Sequence, residues 1–330
     1  MGELTSVEIC AGAGGQALGL EQAGFVHEAV VELDGDACET LRRNRGADWK
    51  VNQDDVANVD GRAYAGIDLL AGGVPCPPFS IAGKQLGHDD ERDLFPQALR
   101  LVEEAQPRAV LLENVRGLAA SRFDDYRSQV LGRLHDLGFQ TWWDLVHASE
   151  HGVPQLRPRF VLVAIQSPWA AAFRWPAPSA EPPPTVGGLL ADLMAAGGWP
   201  GAASWAARAS GIAPTIVGGS KKHGGPDLGP TRARAAWQLL GVNGLGIADE
   251  PPGPGFPAGQ PPKLTVRMVA RLQGFPDWWE FAGRKTAAYR QVGNAFPPPV
   301  AQALGAAIRH ALTHAETGPA EAGHHASLAG

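Results

Sequence analysis

The stretch TSVEICAGAGGQALGLEQAG, residues 5–24, has the composition of a strand, a glycine turn and a helix in direct succession. A second unit of this kind follows, with the strand HEAVVEL at 27–33 and the helix DACETLRRN at 36–44. Strands separated by helices of this length indicate βαβ units, so the sequence predicts an α/β fold with a doubly wound, mostly parallel sheet. The same patterns predict further strands at 67–73, 107–115, 139–148 and 159–165, and further helices at 95–106 and 124–138.

The alternation of strands and helices stops after Ile165. The next hundred residues are rich in proline and glycine, and DEPPGPGFPAGQPP at 249–262 has the composition of an irregular linker. Regular structure is predicted again from TVRMVARLQG at 265–274 to a C-terminal helix. We therefore expect a large domain formed by residues 1–166 and 285–315, a smaller irregular domain at 167–284, and a disordered tail at 316–330.

The composition narrows the class of protein. Of the 330 residues, 44% are hydrophobic, and no apolar run is long enough to cross a bilayer. The N-terminus lacks the basic and apolar segments of a signal peptide. Cys10, Cys38 and Cys76 are an odd number without CxxC spacing, which favours neither a disulfide framework nor a metal site. We expect a reduced, cytoplasmic protein that binds no membrane and no metal.

Charge is distributed unevenly along the chain. The net charge is -6, yet residues 200–290 contain 11 basic and 5 acidic residues, whereas residues 1–199 contain 16 basic and 27 acidic ones. A basic segment within an acidic chain indicates a local surface that faces a polyanion, and a solvated face is an equal alternative.

The glycine turn has a spacing typical of nucleotide-binding sites. Gly12, Gly14 and Ala17 form a GxGxxA pattern, and Glu32 ends the next strand 20 residues after Gly12. A carboxylate at that position can accept hydrogen bonds from two ribose hydroxyls. The ligand would be a dinucleotide or another adenosine cofactor, and the alternative is a tight turn without a ligand.

Reactive side chains follow the next strands of the predicted sheet. Cys76 lies in the proline-rich loop VPCPPFS after the strand at 67–73, where flanking prolines would fix the direction of the sulfur. Glu113 ends the neighbouring strand, where apolar surroundings would raise the pKa of its carboxyl group. Arg157 and Arg159, two residues apart, could hold that carboxylate or contact an anion. These residues together indicate a nucleophile with an acid beside it.

Six sequence blocks resemble the cytosine-5 DNA methyltransferase family, and they occur in the family's order. They lie mostly within residues 1–165 and 263–312, and they are AGAGG at 11–15, PCPPFS at 75–80, ENV at 113–115, QLRPR at 155–159, RLQGFPD at 271–277 and QVGNAFPPPVA at 291–301. The resemblance implies the fold of the class I S-adenosylmethionine-dependent methyltransferases, with a smaller and irregular target-recognition domain. It also implies that this chain is a DNA (cytosine-5-)-methyltransferase of the bacterial restriction-modification type.

The resemblance implies a role for each reactive residue. Cys76 would add to C6 of a cytosine flipped out of double-stranded DNA, and C5 would then take a methyl group from S-adenosylmethionine, giving S-adenosylhomocysteine. Glu113 would contact N3 and the exocyclic amine, Arg159 would lie at the base, and Arg157 would support it or bind phosphate. Two family positions differ here, because Cys10 replaces a phenylalanine and Leu33 a tryptophan. The cofactor-binding residues implied are Cys10, Ala11, Gly12, Gly14, Gly15, Glu32, Leu33, Asp55, Val56, Pro75 and Asn294.

DNA contacts are expected from two regions. The segment from Ser80 to about Leu94 would close over DNA as a lid, and GIAPTIVGG at 211–219 resembles the core of the family's recognition region. The DNA-binding residues implied are Ser80, Lys84, Arg92, Thr215, Gly218, Gly219, Lys221, Lys222, Arg232 and Arg234.

The expected partners are double-stranded DNA and a restriction endonuclease that acts on the same site, and the chain is expected to be a monomer. Three alternative functions stay open at this point. They are methylation of cytosine in RNA, a catalytically silent DNA-binding regulator, and a dinucleotide-dependent oxidoreductase.

Overall fold

The computed structural model describes residues 2–75, 93–219, 227–257 and 259–314, and within them seven strands form one sheet. In the order β3-β2-β1-β4-β5-β7-β6, each pair from β3 to β5 is parallel, and β7 is antiparallel to both of its neighbours. The predicted doubly wound, mostly parallel sheet is confirmed. The strands are β1 (Leu4–Ile9), β2 (Phe25–Glu32), β3 (Val51–Gln53), β4 (Leu69–Gly72), β5 (Ala109–Val115), β6 (Phe139–His147) and β7 (Pro158–Gln166).

Helices cover both faces of the sheet. On one face, α10 and the end of α1 pack against Leu69, Ala109 and Val163, and on the other face α3 and α4 pack against Val7 and Leu70. The helices are α1 (Gly15–Gln22), α2 (Gly35–Arg45), α3 (Phe95–Ala105), α4 (Asp124–Asp136), α5 (Val186–Ala195), α6 (Ala202–Arg208), α7 (Thr231–Leu239), α8 (Val266–Leu272), α9 (Lys285–Asn294) and α10 (Pro298–Thr313).

The C-terminal helix packs directly on the first one. A β-carbon at Gly19 of α1 would lie 2.3 Å from the carbonyl oxygen of Pro298 and 2.5 Å from the β-carbon of Ala301. Only glycine allows two helix backbones to approach this closely, because any side chain would push them apart. This contact holds α1, and with it the glycine turn that precedes it, against the C-terminal part of the chain. Among the described helices, none has the length and apolar character needed to cross a membrane.

Residues 186–292 supply most of a hydrophobic cluster that also includes Ala11, Leu18, Leu41 and Trp49 from the first part of the chain. Its centre contains Trp205 of α6 and Trp237 of α7, which are 1% and 0% exposed. The sequence predicts no regular elements between residues 200 and 262, and that expectation is wrong for these two helices. They have only 7 and 9 residues, and the one large side chain that each buries is a tryptophan. Helices this short show too few apolar repeats for a helical period to be recognised in the sequence.

A buried histidine joins β2 to β1 and α1. His27 Nε2 lies 2.8 Å from the carbonyl oxygen of Ala17, and Nδ1 lies 2.9 Å from the hydroxyl of Ser6. A carbonyl can only accept, so Nε2 carries the hydrogen and Nδ1 accepts from Ser6, which is the neutral form of the ring. Burial lowers the pKa of His27, and the contact with the Ala17 carbonyl only partly opposes that effect.

We expect stability to fall as the medium is acidified. The unfolded chain binds a proton on His27 near the ordinary pKa of about 6.5, whereas the folded chain binds it only at lower pH. The contribution of neutral His27 to the free energy of unfolding is therefore fully present above a pH of about 6.5 and is lost as the pH falls toward the pKa of the folded state. It amounts to about 1.4 kcal/mol for each unit by which the two pKa values differ.

Urea unfolding of the wild type, His27→Gln and His147→Gln at pH 8 and pH 5.5 measures this effect. The difference between the two pH values should shrink in His27→Gln, which cannot titrate at that position. It should persist in His147→Gln, because His147 is exposed at the end of β6. An equal pH dependence in all three proteins would contradict the role given to His27.

Candidate active site

The carboxylate of Glu32, at the end of β2, binds the glycine turn that follows β1. Glu32 Oε2 accepts a hydrogen bond of 2.7 Å from the backbone N–H of Gly12, and Oε1 accepts one of 2.7 Å from Asp34 N–H. Each oxygen keeps further lone-pair capacity, so the carboxylate is fixed in direction and still able to accept from a ligand. The predicted spacing between the glycine turn and the acid therefore corresponds to a direct contact in the fold.

The glycine turn leaves space beside this carboxylate. Gly12 has a φ of 54°, and a β-carbon built on it would meet nothing within 4 Å, so the surface above the turn is open. Gly14 has a φ of 81° and precedes the first turn of α1, whose N–H groups point toward the same edge. Open space next to an oriented carboxylate fits the sugar of a nucleoside.

Cys10 has an unusual backbone at the same edge. Its φ of 51° lies in the left-handed region, which non-glycine residues seldom adopt. Burial, together with the negative charges of Glu32 and Asp55, raises the pKa of the Cys10 thiol to about 12. The thiol is therefore neutral and unreactive. Cys38 is fully buried in the core.

The remaining predicted cofactor residues surround this turn or lie near it. Leu33 is 64% exposed, whereas Val56 and Ala11 are 4% and 8% exposed. Asn294, exposed at the end of α9, donates a hydrogen bond of 3.3 Å to the carbonyl oxygen of Gly219. That contact connects a predicted cofactor residue with a predicted DNA-binding residue.

Glu113 and Arg159 form a buried ion pair where β5 and β7 meet. The distance between Arg159 Nε and Glu113 Oε1 is 2.8 Å, and both side chains are 11% exposed. The antiparallel register sets Val115 opposite Arg159, which brings the guanidinium to the end of β5 beside the carboxyl group. Burial raises the pKa of Glu113 despite the opposing charges of Arg159 and Arg157. The structure therefore brings together two predicted catalytic residues that are 46 positions apart in sequence.

The chain that leads to position 76 lies against this pair. A β-carbon at Gly73 would be 3.3 Å from Glu113 Oε2 and 3.8 Å from the carbonyl oxygen of Cys10. Asn114 Nδ2 donates a hydrogen bond of 2.7 Å to the carbonyl oxygen of Val74. The segment after β4 thus passes between the glycine turn and Glu113. Pro75 is the last described residue before the gap, and Cys76 lies outside the described residues.

The contacts of Arg157 do not agree with its predicted role in binding phosphate. It is 0% exposed and donates to the carbonyl oxygens of Ile216 at 2.6 Å, Gly293 at 2.8 Å and Ala295 at 2.8 Å. A side chain enclosed in this way has no face for a phosphate, so the phosphate-binding part of the prediction does not fit the structure. Its support of Arg159 stays a prediction. Arg157 instead joins its own segment, which leads into β7, to the segments that contain Ile216 and residues 293–295.

Two glutamines complete that connection, and the sequence analysis missed both. Gln155 Nε2 donates to Gln273 Oε1 at 2.6 Å, and its Oε1 accepts from the N–H of Ile216 at 2.9 Å. Gln273 Nε2 in turn donates to the Ala295 carbonyl at 2.6 Å. Both glutamines are 0% exposed. Their position inside the blocks QLRPR and RLQGFPD was the available signal, but only the folded chain pairs them.

The predicted DNA-binding residues fall into three groups. The hydroxyl of Thr215 donates to the carbonyl oxygen of Leu156, which ties residues 213–219 to the loop before β7. Arg232 is exposed and Arg234 partly buried on α7. Gly218 lies against α9, because a β-carbon there would be 2.4 Å from the Arg290 carbonyl oxygen. The others, which lie outside the described residues together with most of the predicted lid, are Ser80, Lys84, Arg92, Lys221 and Lys222.

Comparison with known proteins identifies the family of this chain. A model of the C-5 cytosine-specific DNA methylase family matches residues 4–310. The chain belongs to that family. It is 61% identical over 315 residues to the Type II methyltransferase M.NaeI of Lentzea aerocolonigenes, an alignment covering 94% of this chain and 76% of that protein. It is 52% identical over 313 residues to the Type II methyltransferase M.NgoMIV of Neisseria gonorrhoeae, with 94% and 98% covered.

Solved structures agree on the fold. A crystal structure of a prophage-encoded E. coli protein, described as a DNA modification methyltransferase, aligns at a TM-score of 0.67 and 23% identity. The alignment covers 94% of this chain and 100% of that one.

The C-5 methylase family is a family of enzymes, so the prediction of a DNA (cytosine-5-)-methyltransferase is confirmed. The alternative of a dinucleotide-dependent oxidoreductase is excluded.

Three exposed apolar side chains occur at or next to the predicted site residues of this C-5 methylase. Val115 follows Glu113 and Asn114, Leu156 precedes Arg157, and Val217 precedes Gly218, with exposed fractions of 53%, 56% and 45%. The sequence analysis did not single them out, because apolar residues in a strand or loop are ordinarily buried. Their exposure is visible only once the fold is known.

Proposed function

We propose that this protein transfers a methyl group from S-adenosylmethionine to C5 of a cytosine in a specific double-stranded DNA sequence. The target base is flipped out of the helix and is held transiently by a covalent bond between Cys76 and C6. The observation that carries the proposal is the path of Gly73 and Val74. They pass between the glycine turn and the Glu113–Arg159 pair, directly before Cys76.

The residues at the glycine turn fit S-adenosylmethionine. Glu32 is oriented by two backbone N–H groups and retains lone pairs for ribose hydroxyls, and the surface above Gly12 is open. Asp55 and Val56 would lie beside the adenine, with Leu33 covering it. When bound, the cofactor supplies a methyl group on a positively charged sulfur. In this proposal, Pro75 and Asn294 line the border between the cofactor and the base.

The reaction proceeds in three steps on the cytosine ring. The Cys76 thiolate forms a bond to C6, and the ring electrons move to C5, which becomes nucleophilic. C5 would then take the methyl group that the cofactor, held by Glu32 and the glycine turn, would supply, and S-adenosylhomocysteine would be left. Solvent would then take up the C5 proton, and the electrons of that bond would restore the C5–C6 double bond as the bond between Cys76 and C6 breaks. N3 would return to Glu113 the proton that it had received.

Glu113 and Arg159 stabilise the adduct in this proposal. Because burial raises the pKa of Glu113, its carboxyl group can hold a proton and donate it to N3 as negative charge develops on the ring. Arg159, 2.8 Å away, fixes the carboxyl group and lies at the base. Arg157 acts behind them as a positioning residue, through the carbonyl groups that it binds.

Residues 167–284 are the proposed target-recognition domain, and residues 1–166 with 285–315 are the proposed catalytic domain. DNA would lie between them, and the positive charge of residues 200–290 would offset the repulsion between phosphates and an acidic chain. Base flipping costs a few kcal/mol, which contacts with the phosphates would have to supply. Thr215, Gly218, Gly219 and the basic residues of this region are the proposed contacts.

The relatives suggest a biological setting. The similar proteins are Type II methyltransferases, so we propose that this chain protects DNA from a restriction endonuclease that cuts the same site, and that it acts as a monomer. The protein would meet its substrate in the cytoplasm.

Bisulfite sequencing of plasmid DNA from cells that express the protein tests the proposal. We expect one cytosine position, within one short sequence, to be protected at every occurrence. Purified protein given radiolabelled S-adenosylmethionine should label duplex DNA containing that sequence and leave transfer RNA unlabelled. Labelling of transfer RNA alone would show that the substrate is RNA, and no labelling of either would contradict the proposed activity.

A further inference from the structure

Arg100 of α3 binds a neighbouring turn through both of its Nη nitrogens. Nη1 donates to the carbonyl oxygen of Val59 at 2.9 Å, and Nη2 donates to those of Val56 at 3.0 Å and Ala57 at 3.4 Å. Nε donates to Gln97 Oε1 at 2.9 Å, which orients the group from within the helix. A planar fork that reaches three carbonyl groups of one turn fixes the position of that turn, and a lysine could not reproduce it.

Glu104, one helical turn further along α3, completes the contact. Both carboxylate oxygens lie 2.9 Å from Arg100 Nη1, and Oε2 also accepts a hydrogen bond of 2.7 Å from the N–H of Gly61. The Arg100 guanidinium, followed by the Gly61 N–H, lowers the pKa of Glu104, so the carboxyl group is ionised. Arg100 and Glu104, here called the α3 clamp, together bind both ends of residues 56–61.

The sheet by itself holds this turn only weakly. It follows β3, which has three residues, lies at the edge of the sheet and pairs only with β2 among the described strands. The turn nevertheless contributes to the cofactor edge, since Asp55 begins it and is close enough to the Cys10 thiol to raise its pKa. The N–H of Asp54 still donates a hydrogen bond of 3.1 Å to the carbonyl oxygen of Glu32. Beyond that bond, the position of residues 55–61 depends on contacts from outside the sheet.

We infer that Arg100 and Glu104 are positioning residues for cofactor binding, because they hold Asp55 and Val56 at the adenine end of the pocket. The inference rests on the proposed function. It concerns how the pocket keeps its shape, since neither residue of the α3 clamp is placed in contact with the cofactor.

Calorimetric titration of the purified full-length protein with S-adenosylhomocysteine tests the inference. R100Q and E104Q should each bind at least about tenfold more weakly than the wild type, and the double variant should be no weaker than R100Q, because the two residues act as a unit. R100K keeps the charge but loses the fork, so it should resemble R100Q. The matched control is R43Q, which removes an exposed pair with Glu39 at the same helical spacing and should bind normally.

A second ligand separates positioning from general loosening of the fold. S-inosylhomocysteine lacks the adenine amino group that Asp55 would face, so R100Q should lose less affinity for it than for S-adenosylhomocysteine. In turnover, KM for S-adenosylmethionine should rise while kcat stays within about threefold, the pattern of lost uniform binding. Thermal unfolding shows whether each variant is folded. If R100Q is unfolded, the same comparison is made with E104Q and R100K.

Each result is decisive. Equal S-adenosylhomocysteine affinity in the wild type and in the folded clamp variants would overturn the inference and leave the proposed function intact. An equal loss for both ligands would also overturn it, because the adenine end would then not be the part affected. If the wild type bound no S-adenosylhomocysteine, the proposed function would fail and the inference with it.

Discussion

Cys76→Ser should lose methyl transfer by on the order of 10⁴-fold or more, the scale on which removal of a catalytic nucleophile acts. A serine hydroxyl at neutral pH is a far weaker nucleophile than a thiolate, and without addition at C6 the C5 carbon stays aromatic and unreactive. DNA binding should persist, since the substitution leaves the recognition residues unchanged. Single-turnover methylation of a duplex with the identified site, alongside a binding titration, measures both quantities.

A fluorinated substrate makes the covalent step visible. In a duplex with 5-fluorocytosine at the target position, methylation proceeds but fluorine cannot leave as the proton does, so the bond to Cys76 should persist through denaturing electrophoresis. Cys76→Ser should form no such adduct. Cys38→Ser, at a buried packing position where the hydroxyl can donate to the Glu32 carbonyl as the thiol does, should form it normally. Turnover by Cys76→Ser would refute the assignment of the nucleophile.

Glu113→Gln should lower methylation by about 10²- to 10⁴-fold, the usual contribution of a general acid. Glutamine keeps the size of the side chain and can still contact the base, but it cannot transfer a proton to N3. The raised pKa of Glu113 also gives a sign to the pH profile. The protonated form is present below that pKa, so wild-type activity should fall as the pH rises through it, and Glu113→Gln should lack this decline.

Glu103→Gln is the matched control for that variant. Glu103 forms an ion pair with Arg133 on the surface, where its side chain is 53% exposed, and methylation should continue at the wild-type rate. Breaking a buried ion pair is strongly destabilising, by about 3–5 kcal/mol, so thermal unfolding must show that Glu113→Gln is folded. A folded Glu113→Gln enzyme with wild-type turnover would exclude Glu113 as the acid.

Local patterns predicted most of the catalytic edge. The strand, glycine turn and Glu32 lie within 30 residues of chain, and their spacing corresponds to a hydrogen bond between Gly12 and Glu32 in the structure. The predicted strands at residues 27–33, 67–73 and 107–115 agree closely with β2, β4 and β5. β3 was missed, because three residues without a strong apolar alternation give no signal.

Contacts between residues that are far apart in the chain could not be predicted from local patterns. From the family resemblance, Arg157 was expected to support Arg159 or to bind phosphate. In the structure it is enclosed by carbonyl groups from residues 216, 293 and 295, which are distant along the chain. The α3 clamp was likewise invisible, because an arginine and a glutamate four residues apart usually form an ordinary surface pair.

The sequence by itself determined the type of fold, the family and the identity of the reactive groups, because periodicity, turn chemistry and short motifs are local properties of the chain. Tertiary structure alone decided which of those groups meet and in what environment. The antiparallel return of β7 brings Arg159 to within 2.8 Å of Glu113, and burial among the surrounding strands raises the pKa of that carboxyl group. Distance and desolvation depend on the packing of segments that are far apart in sequence, and no local pattern encodes them.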